Sequence, residues 1–162
     1  SGVEGDLTIY TRDLTQSGSN TQGVTVTFSE SAQTSESLSG KLVNSCGKPQ
    51  ALNGDEKIYE ISVQYANAGK TLTKKDRYDC ILSFDYACES MELYINDKKV
   101  NDYFYTGQKA LFSLGYFDFP TKITAVLHPL HEGAHIYLQE WPKMENGSAC
   151  RIEAIEVDEQ IF

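Results

Sequence analysis

Apolar and polar residues alternate with period two along most of this chain, the pattern of a strand with one face in a core and the other toward water. Val24, Val26 and Phe28 alternate with Thr25, Thr27 and Ser29, and Tyr59, Ile61, Val63 and Tyr65 alternate with Glu60, Ser62 and Gln64. A short segment at residues 7–9 opens the series. Residues 78–86 place Cys80, Leu82, Phe84 and Tyr86 on one face and Ile81 on the other, which predicts a strand central in its sheet. Residues 91–95 and 100–105 flank Asn96-Asp97-Lys98-Lys99, a hairpin turn whose Asn and Asp tolerate positive φ. Further strands are expected at 110–114, 123–127, 136–138 and 150–157. Residues 16–23, 29–39, 46–56 and 67–75 carry the Gly, Pro, Ser and Asn of loops, with a turn at Asn53-Gly54-Asp55. Nine or ten strands, with no amphipathic helix and no fixed-period repeat, predict an all-β fold, a jelly-roll-like antiparallel β-sandwich.

Composition agrees. Ten Tyr, seven Phe and one Trp stand beside many Thr, Val and Ile, residues that suit a pleated, half-buried surface. A length of 162 residues fits one domain. With 14 Lys+Arg against 23 Asp+Glu the net charge is −9, and Lys74, Lys75 and Arg77 form the one local basic cluster, which argues against nucleic acid as a partner. No apolar run of about 18 residues predicts a membrane insertion. The start at Ser1-Gly2 leads to the expectation that residues 1–5 are a tag or linker remnant and residues 6–162 one sandwich domain excised from a larger chain.

Cys46, Cys80, Cys88 and Cys150 allow three pairings if all are oxidised, and none forms a C-x-x-C. One extended strand would hold Cys80 and Cys88 roughly 25 Å apart, beyond the ~7 Å that a disulfide tolerates. The other pairings stay open beside buried free thiols.

His131-Glu132-Gly133-Ala134-His135 fits H-E-x-x-H, which on a helix would set two imidazoles on zinc with the Glu as base. Pro129 just before it, Gly133 within it and the strand-like text after it all oppose a helix, so a polar turn is the expected state. Asp85, Glu89, Asp97 and Asp102 carry no specific acid/base signal in a chain with 23 acids. Asn146-Gly147-Ser148 fits the N-glycosylation sequon and equally a tight turn. No Asp-rich loop has calcium-ligand spacing, so a structural Ca²⁺ stays open and unassigned, and no cofactor is expected.

The aromatic supply is the strongest lead. Tyr103-Phe104-Tyr105 are consecutive, so on a strand Tyr103 and Tyr105 point one way and Phe104 the other. Tyr116 and Trp141 sit in loop-like text. Rings exposed beside Asn and Asp can stack on a sugar while the polar neighbours take its hydroxyls. The candidates are therefore Tyr103, Tyr105, Tyr116 and Trp141 for stacking, with Asn101 and Asp102 for hydrogen bonding.

The text from Tyr78 to Val157 carries LSFDYACESMELYINDKKVNDYFYTGQKALFSLGYF, then FPTKITAVLHPL, IYLQEWP and ACRIEAIEV. This half of the chain resembles the C-terminal, galactose-binding-like part of bacterial chains assigned to the β-galactosidases of glycoside hydrolase family 35. The resemblance implies a non-catalytic sandwich appended to a carbohydrate-active enzyme whose two catalytic glutamates lie in a separate (β/α)₈ barrel, with a glycan and the parent's catalytic domain as partners. The compartment is left unassigned, with a secreted or cell-surface setting slightly favoured over a cytoplasmic one. The alternatives from other classes are a purely structural interdomain sandwich and a zinc metalloprotease acting through His131, Glu132 and His135.

Overall fold

The computed structural model describes residues 10–12, 24–32, 35–65, 78–134, 138 and 141–161. Eleven strands appear in it: β1 (Tyr10–Arg12), β2 (Val24–Glu30), β3 (Lys57–Tyr65), β4 (Tyr78–Ala87), β5 (Ser90–Ile95), β6 (Lys98–Phe104), β7 (Ala110–Ser113), β8 (Lys122–His128), β9 (Leu130–His131), β10 (Ser148–Ala149) and β11 (Arg151–Ile161). Six of them form one antiparallel sheet in the order β1-β2-β3-β8-β5-β6, and three form a second in the order β11-β4-β7. β9 and β10 make a two-stranded ribbon. The fold is an all-β antiparallel sandwich.

Alternation decides which residues close it. On the inner face of the large sheet Phe28, Ile61 and Ile123 are cross-strand neighbours, as are Tyr59, Ala125 and Leu93. Facing them, Leu82 pairs with Val157 and Phe112, and Phe84 with Ile155 and Ala110. These side chains merge into one buried cluster that joins the two sheets. Cys80, Leu82 and Phe84 are wholly buried, and β4 is the central strand of its sheet, as the pattern of residues 78–86 predicts. Its other face is partly open, with Ile81 and Ser83 half-buried and Asp85 exposed.

Two tyrosines tie the sheets together. The Tyr86 hydroxyl donates to the Phe104 carbonyl at 3.4 Å, and the Tyr103 hydroxyl donates to the Leu111 carbonyl at 2.7 Å. The β5–β6 hairpin turns through Asn96 (φ 53°) and Asp97 (φ 65°), the paired positive φ of a two-residue primed turn.

The outer face of the large sheet is roofed. A single helical turn, α1 (Ser35–Leu38), interrupts the stretch expected as loop, and residues 39–56 continue across the sheet. Leu38, Leu42 and Leu52 pack on Ile58, Val126 and Tyr94, so this face holds a second, smaller core. Val43 pins the roof to the sheet, donating to the Asp97 carbonyl and accepting from the Lys99 N–H, both at 2.8 Å.

All four cysteines are free thiols, so no disulfide pairing forms. The expected strand at residues 7–9 lies outside the described residues, as do residues 136 and 137 of the one expected at 136–138, and Leu138 is in no strand. Residues 10–12 nonetheless form β1, just past the first of them.

Candidate functional site

At one end of the roof the outer face of the large sheet comes into the open, and register determines what meets there. Ser90 lies opposite His128 on one side and Phe104 on the other, so His128, Ser90 and Phe104 form one row across β8, β5 and β6. Glu56 sits one residue before the Lys57–Leu127 pair, which brings it beside His128. Glu92 lies one pleat along β5 on the same face as Ser90.

His128 is clamped between two carboxylates. Its Nε2 is 3.1 Å from Glu92 Oε1 and its Nδ1 is 3.4 Å from Glu56 Oε2. Tyr94 donates its hydroxyl to Glu92 Oε1 at 3.1 Å, and Lys99 Nζ lies 3.5 Å from Glu92 Oε2. The Glu56 side chain is fully buried and caps the turn before it, accepting from the Asn53 N–H at 2.7 Å and the Gly54 N–H at 2.8 Å.

These contacts set the protonation states. The hydrogen bond to Glu92 raises the His128 pKa; burial opposes it, and the charges of Glu92, Glu56 and Asp55 add to it, leaving His128 above the ordinary imidazole value. Burial pushes Glu56 up, but the backbone N–H groups of Asn53, Glu56 and Gly54 and the charge of His128 outweigh it and hold the carboxyl low. Glu92 is likewise held low, with burial overcome by His128, Lys99 and Tyr94. Both imidazole nitrogens face carboxylates, so His128 is built to hold charge and position rather than to carry protons to a substrate.

Beside this cluster opens a polar cavity of about 340 Å³, lined by Asn53, Asp55, Glu89, Ser90, His128 and His131. His131 Nε2 lies 3.8 Å from Asp55 Oδ2, and both side chains are more than half exposed. Phe104, in the row that contains Ser90 and His128, is 73% exposed. Its backbone is held from inside by Tyr86, so the ring is presented by a fixed strand.

The residues singled out by sequence fall in different places. Tyr103 turns inward against the core and accepts from Asn101 Nδ2 at 2.9 Å, and burial pushes its hydroxyl pKa up to about 12. Tyr105 is half-buried, edge-on to Tyr86 at 5.6 Å. For these two the expectation of exposed stacking rings is corrected: the strand turns them inward and Phe104 is the wet member of the trio. Tyr116 is 70% and Trp141 40% exposed, as expected. Asn101 is half-buried on Tyr103, whereas Asp102 lies across from Glu92 and 3.4 Å from Lys99.

His128, Glu56 and Glu92 form no sequence motif because they lie on separate segments: β8, the turn before β3, and β5. The signal present is modest: Ser90 and Glu92 alternate with Met91 and Leu93, and His128 takes the next outward position after the inward series Ile123, Ala125 and Leu127.

His131 lies on β9 and Glu132–Gly133 form a turn with Gly133 at φ 89°, so the helical spacing required by H-E-x-x-H is not adopted there. His135 lies outside the described residues. Among the described residues no group of three or more His, Cys, Asp or Glu side chains is arranged to hold a metal ion. No helix among them is long and apolar enough to cross a membrane. Asn146 (φ 53°) and Gly147 (φ 80°) form a tight turn closed by reciprocal Glu145–Ser148 hydrogen bonds. The chain matches no protein-family model, no curated protein and no solved structure.

Proposed function

We propose that this sandwich is a non-catalytic glycan-recognition module of a larger glycoside hydrolase and that the sugar sits over the Phe104–Ser90–His128 row. The observation that carries it is the exposed Phe104 ring standing in line with the polar cavity. An aromatic face takes the C–H face of a pyranose, while Asn53, Asp55, Glu89 and Ser90 offer partners for its hydroxyls. The cavity is within the size range of small-ligand sites. The resemblance of residues 78–157 to family 35 chains supports the same class and names a galactoside as the first ligand to try. Tyr116 and Trp141 supply further exposed rings for a longer glycan.

Titration of the protein against neutral galactosides and a glycan panel tests the proposal. The expected result is millimolar or tighter binding that Phe104→Ala weakens by roughly tenfold or more. Absence of binding at millimolar ligand overturns it.

A structural interdomain role is favoured by one other observation. Leu111 is 62% exposed on β7, which pairs with β4 alone among the described strands. Leu111→Ser, with ligand binding intact, would separate that surface from the cavity.

A further inference from the structure

We infer that Glu56 and His128 are a positioning pair that holds the Asn53–Asp55 wall of the cavity, and that the wall is held only while His128 carries its second ring proton. The inference rests on the glycan-recognition reading for its biological meaning, but its structural part stands without ligand.

The wall needs a tether. Gly54 sits at φ 102°, and the two N–H groups at the head of this turn are satisfied by a single buried carboxylate, that of Glu56. Glu56 reaches the sheet beneath through His128, whose other nitrogen is engaged by Glu92. The chain of contacts therefore runs from the wall through Glu56 and His128 to β5, with the cavity on its open side.

A neutral imidazole carries one N–H and one lone pair. Bound between two carboxylates, it can donate to one of them and must turn its lone pair toward the other. Only the imidazolium donates to both. The Nε2–Glu92 contact is the shorter, 3.1 Å against 3.4 Å for Nδ1–Glu56, so the neutral ring keeps its proton toward Glu92. Loss of the other to solvent leaves Glu56 with its backbone partners but without the His128 donor, and the side-chain tie from wall to floor is released. Its reverse, protonation, restores the clamp.

The groups around His128 favour the charged form. Glu56 enters from the start of β3, Asp55 from the wall, Glu92 from β5 and Glu89 from the turn before it. Lys99 and Asp102 of β6 oppose each other behind Glu92, Tyr94 caps the same carboxylate, and His131 of β9 lies across the cavity against Asp55.

The test is a titration of the ligand-free chain by NMR from about pH 5.5 to about pH 8.5, following the His128 ring and the Asn53 and Gly54 amides. A shared midpoint above the ordinary imidazole value is expected, with amide protection falling by roughly tenfold beyond the intrinsic pH effect. In Glu56→Gln the His128 midpoint should drop, and the Asn53 and Gly54 amides should lose their pH response. Amides that stay silent while His128 titrates overturn the inference, as does a response unchanged in Glu56→Gln. If that variant does not fold, the wild-type amides alone decide.

Lactose affinity measured over the same range is a separate arm. If the amides follow His128 and lactose affinity falls above the midpoint, clamp and site are linked. Lactose binding that stays constant while the amides respond overturns the link to this cavity and leaves the clamp. Absence of any sugar binding counts against the glycan reading and not against the clamp.

Discussion

Glu92 and Lys99 meet at 3.5 Å across the β5–β6 ladder because β6 carries one residue more than its partner. Leu93 opposes Asn101 but Tyr94 opposes Lys99, so Val100 is the extra residue of a bulge. Were the same residues paired without a bulge, Tyr94 would oppose Val100 and Lys99 would share the inward face with Tyr103. The bulge turns Val100 onto the core and puts Lys99 beside Glu92 and Asp102. Deleting Val100 should therefore leave Lys99 on the outer face opposite Tyr94 and cost about 1–3 kcal/mol in urea unfolding, through the lost Val100 packing and the altered local twist. Val100→Ala, which keeps the register, should cost only about 1–2 kcal/mol.

The Tyr103-Phe104-Tyr105 run separates stability from recognition. Tyr103→Phe removes a hydroxyl that donates to Leu111 and accepts from Asn101, and should cost about 1–2 kcal/mol in thermal or denaturant unfolding while leaving glycan affinity unchanged. Phe104→Ala should do the opposite: stability within about 0.5 kcal/mol of wild type, and binding weakened. If Tyr103→Phe abolished binding, the inward placement of that ring would not account for its role.

These residues also show what the sequence carries and what it withholds. Period two locates β2, β3, β5 and β8 to within about two residues, and Asn96-Asp97 announces the hairpin turn they form. Alternation also says that Phe104 and Tyr103 face opposite ways, but not which way is wet. That depends on which sheet face the smaller sheet covers, a non-local fact. The roof over the outer face is invisible for the same reason: Leu38, Leu42 and Leu52 are isolated apolar residues in polar text and become a core only against Ile58, Tyr94 and Val126. The Glu56–His128–Glu92 cluster joins three segments through register, and register is set by long-range pairing.

The positive φ at Asn96 and Asp97 gives a backbone test. Asn96→Gly should be neutral or mildly stabilising, since glycine occupies that region without a Cβ penalty. Asn96→Val should cost about 1–3 kcal/mol, measured by thermal melting, because a β-branched residue resists it.

The four free thiols should differ in reactivity. Cys46 is exposed and should react with Ellman's reagent at once in the native protein. Cys80 and Cys88 are buried, and burial pushes the Cys88 thiol up. Cys150 donates to the Leu127 carbonyl at 3.3 Å, and burial moves its pKa up to about 11. One fast equivalent in the native state, rising to four in denaturant, is expected.

The clamp also predicts how stability depends on pH. His128 lies above its ordinary 6.5 in the fold, so its contribution is fully present below 6.5 and is lost as pH rises through the folded value. Glu56 and Glu92 lie below their ordinary 4.5, so theirs is present above 4.5 and is lost as pH falls through the folded values. All three act together between 4.5 and 6.5, and the urea midpoint should be highest there. Glu60, raised by burial, works the other way at the acid end and softens that limb. Thiol ionisation begins near the ordinary value of 9.0, which leaves the range from about pH 6.5 to about pH 8 for His128. His128→Gln should lower the plateau by about 1–3 kcal/mol, since it removes a charged hydrogen-bond donor from two carboxylates, and should flatten the decline above pH 6.5. A decline of equal steepness in that variant would place the responsible proton elsewhere.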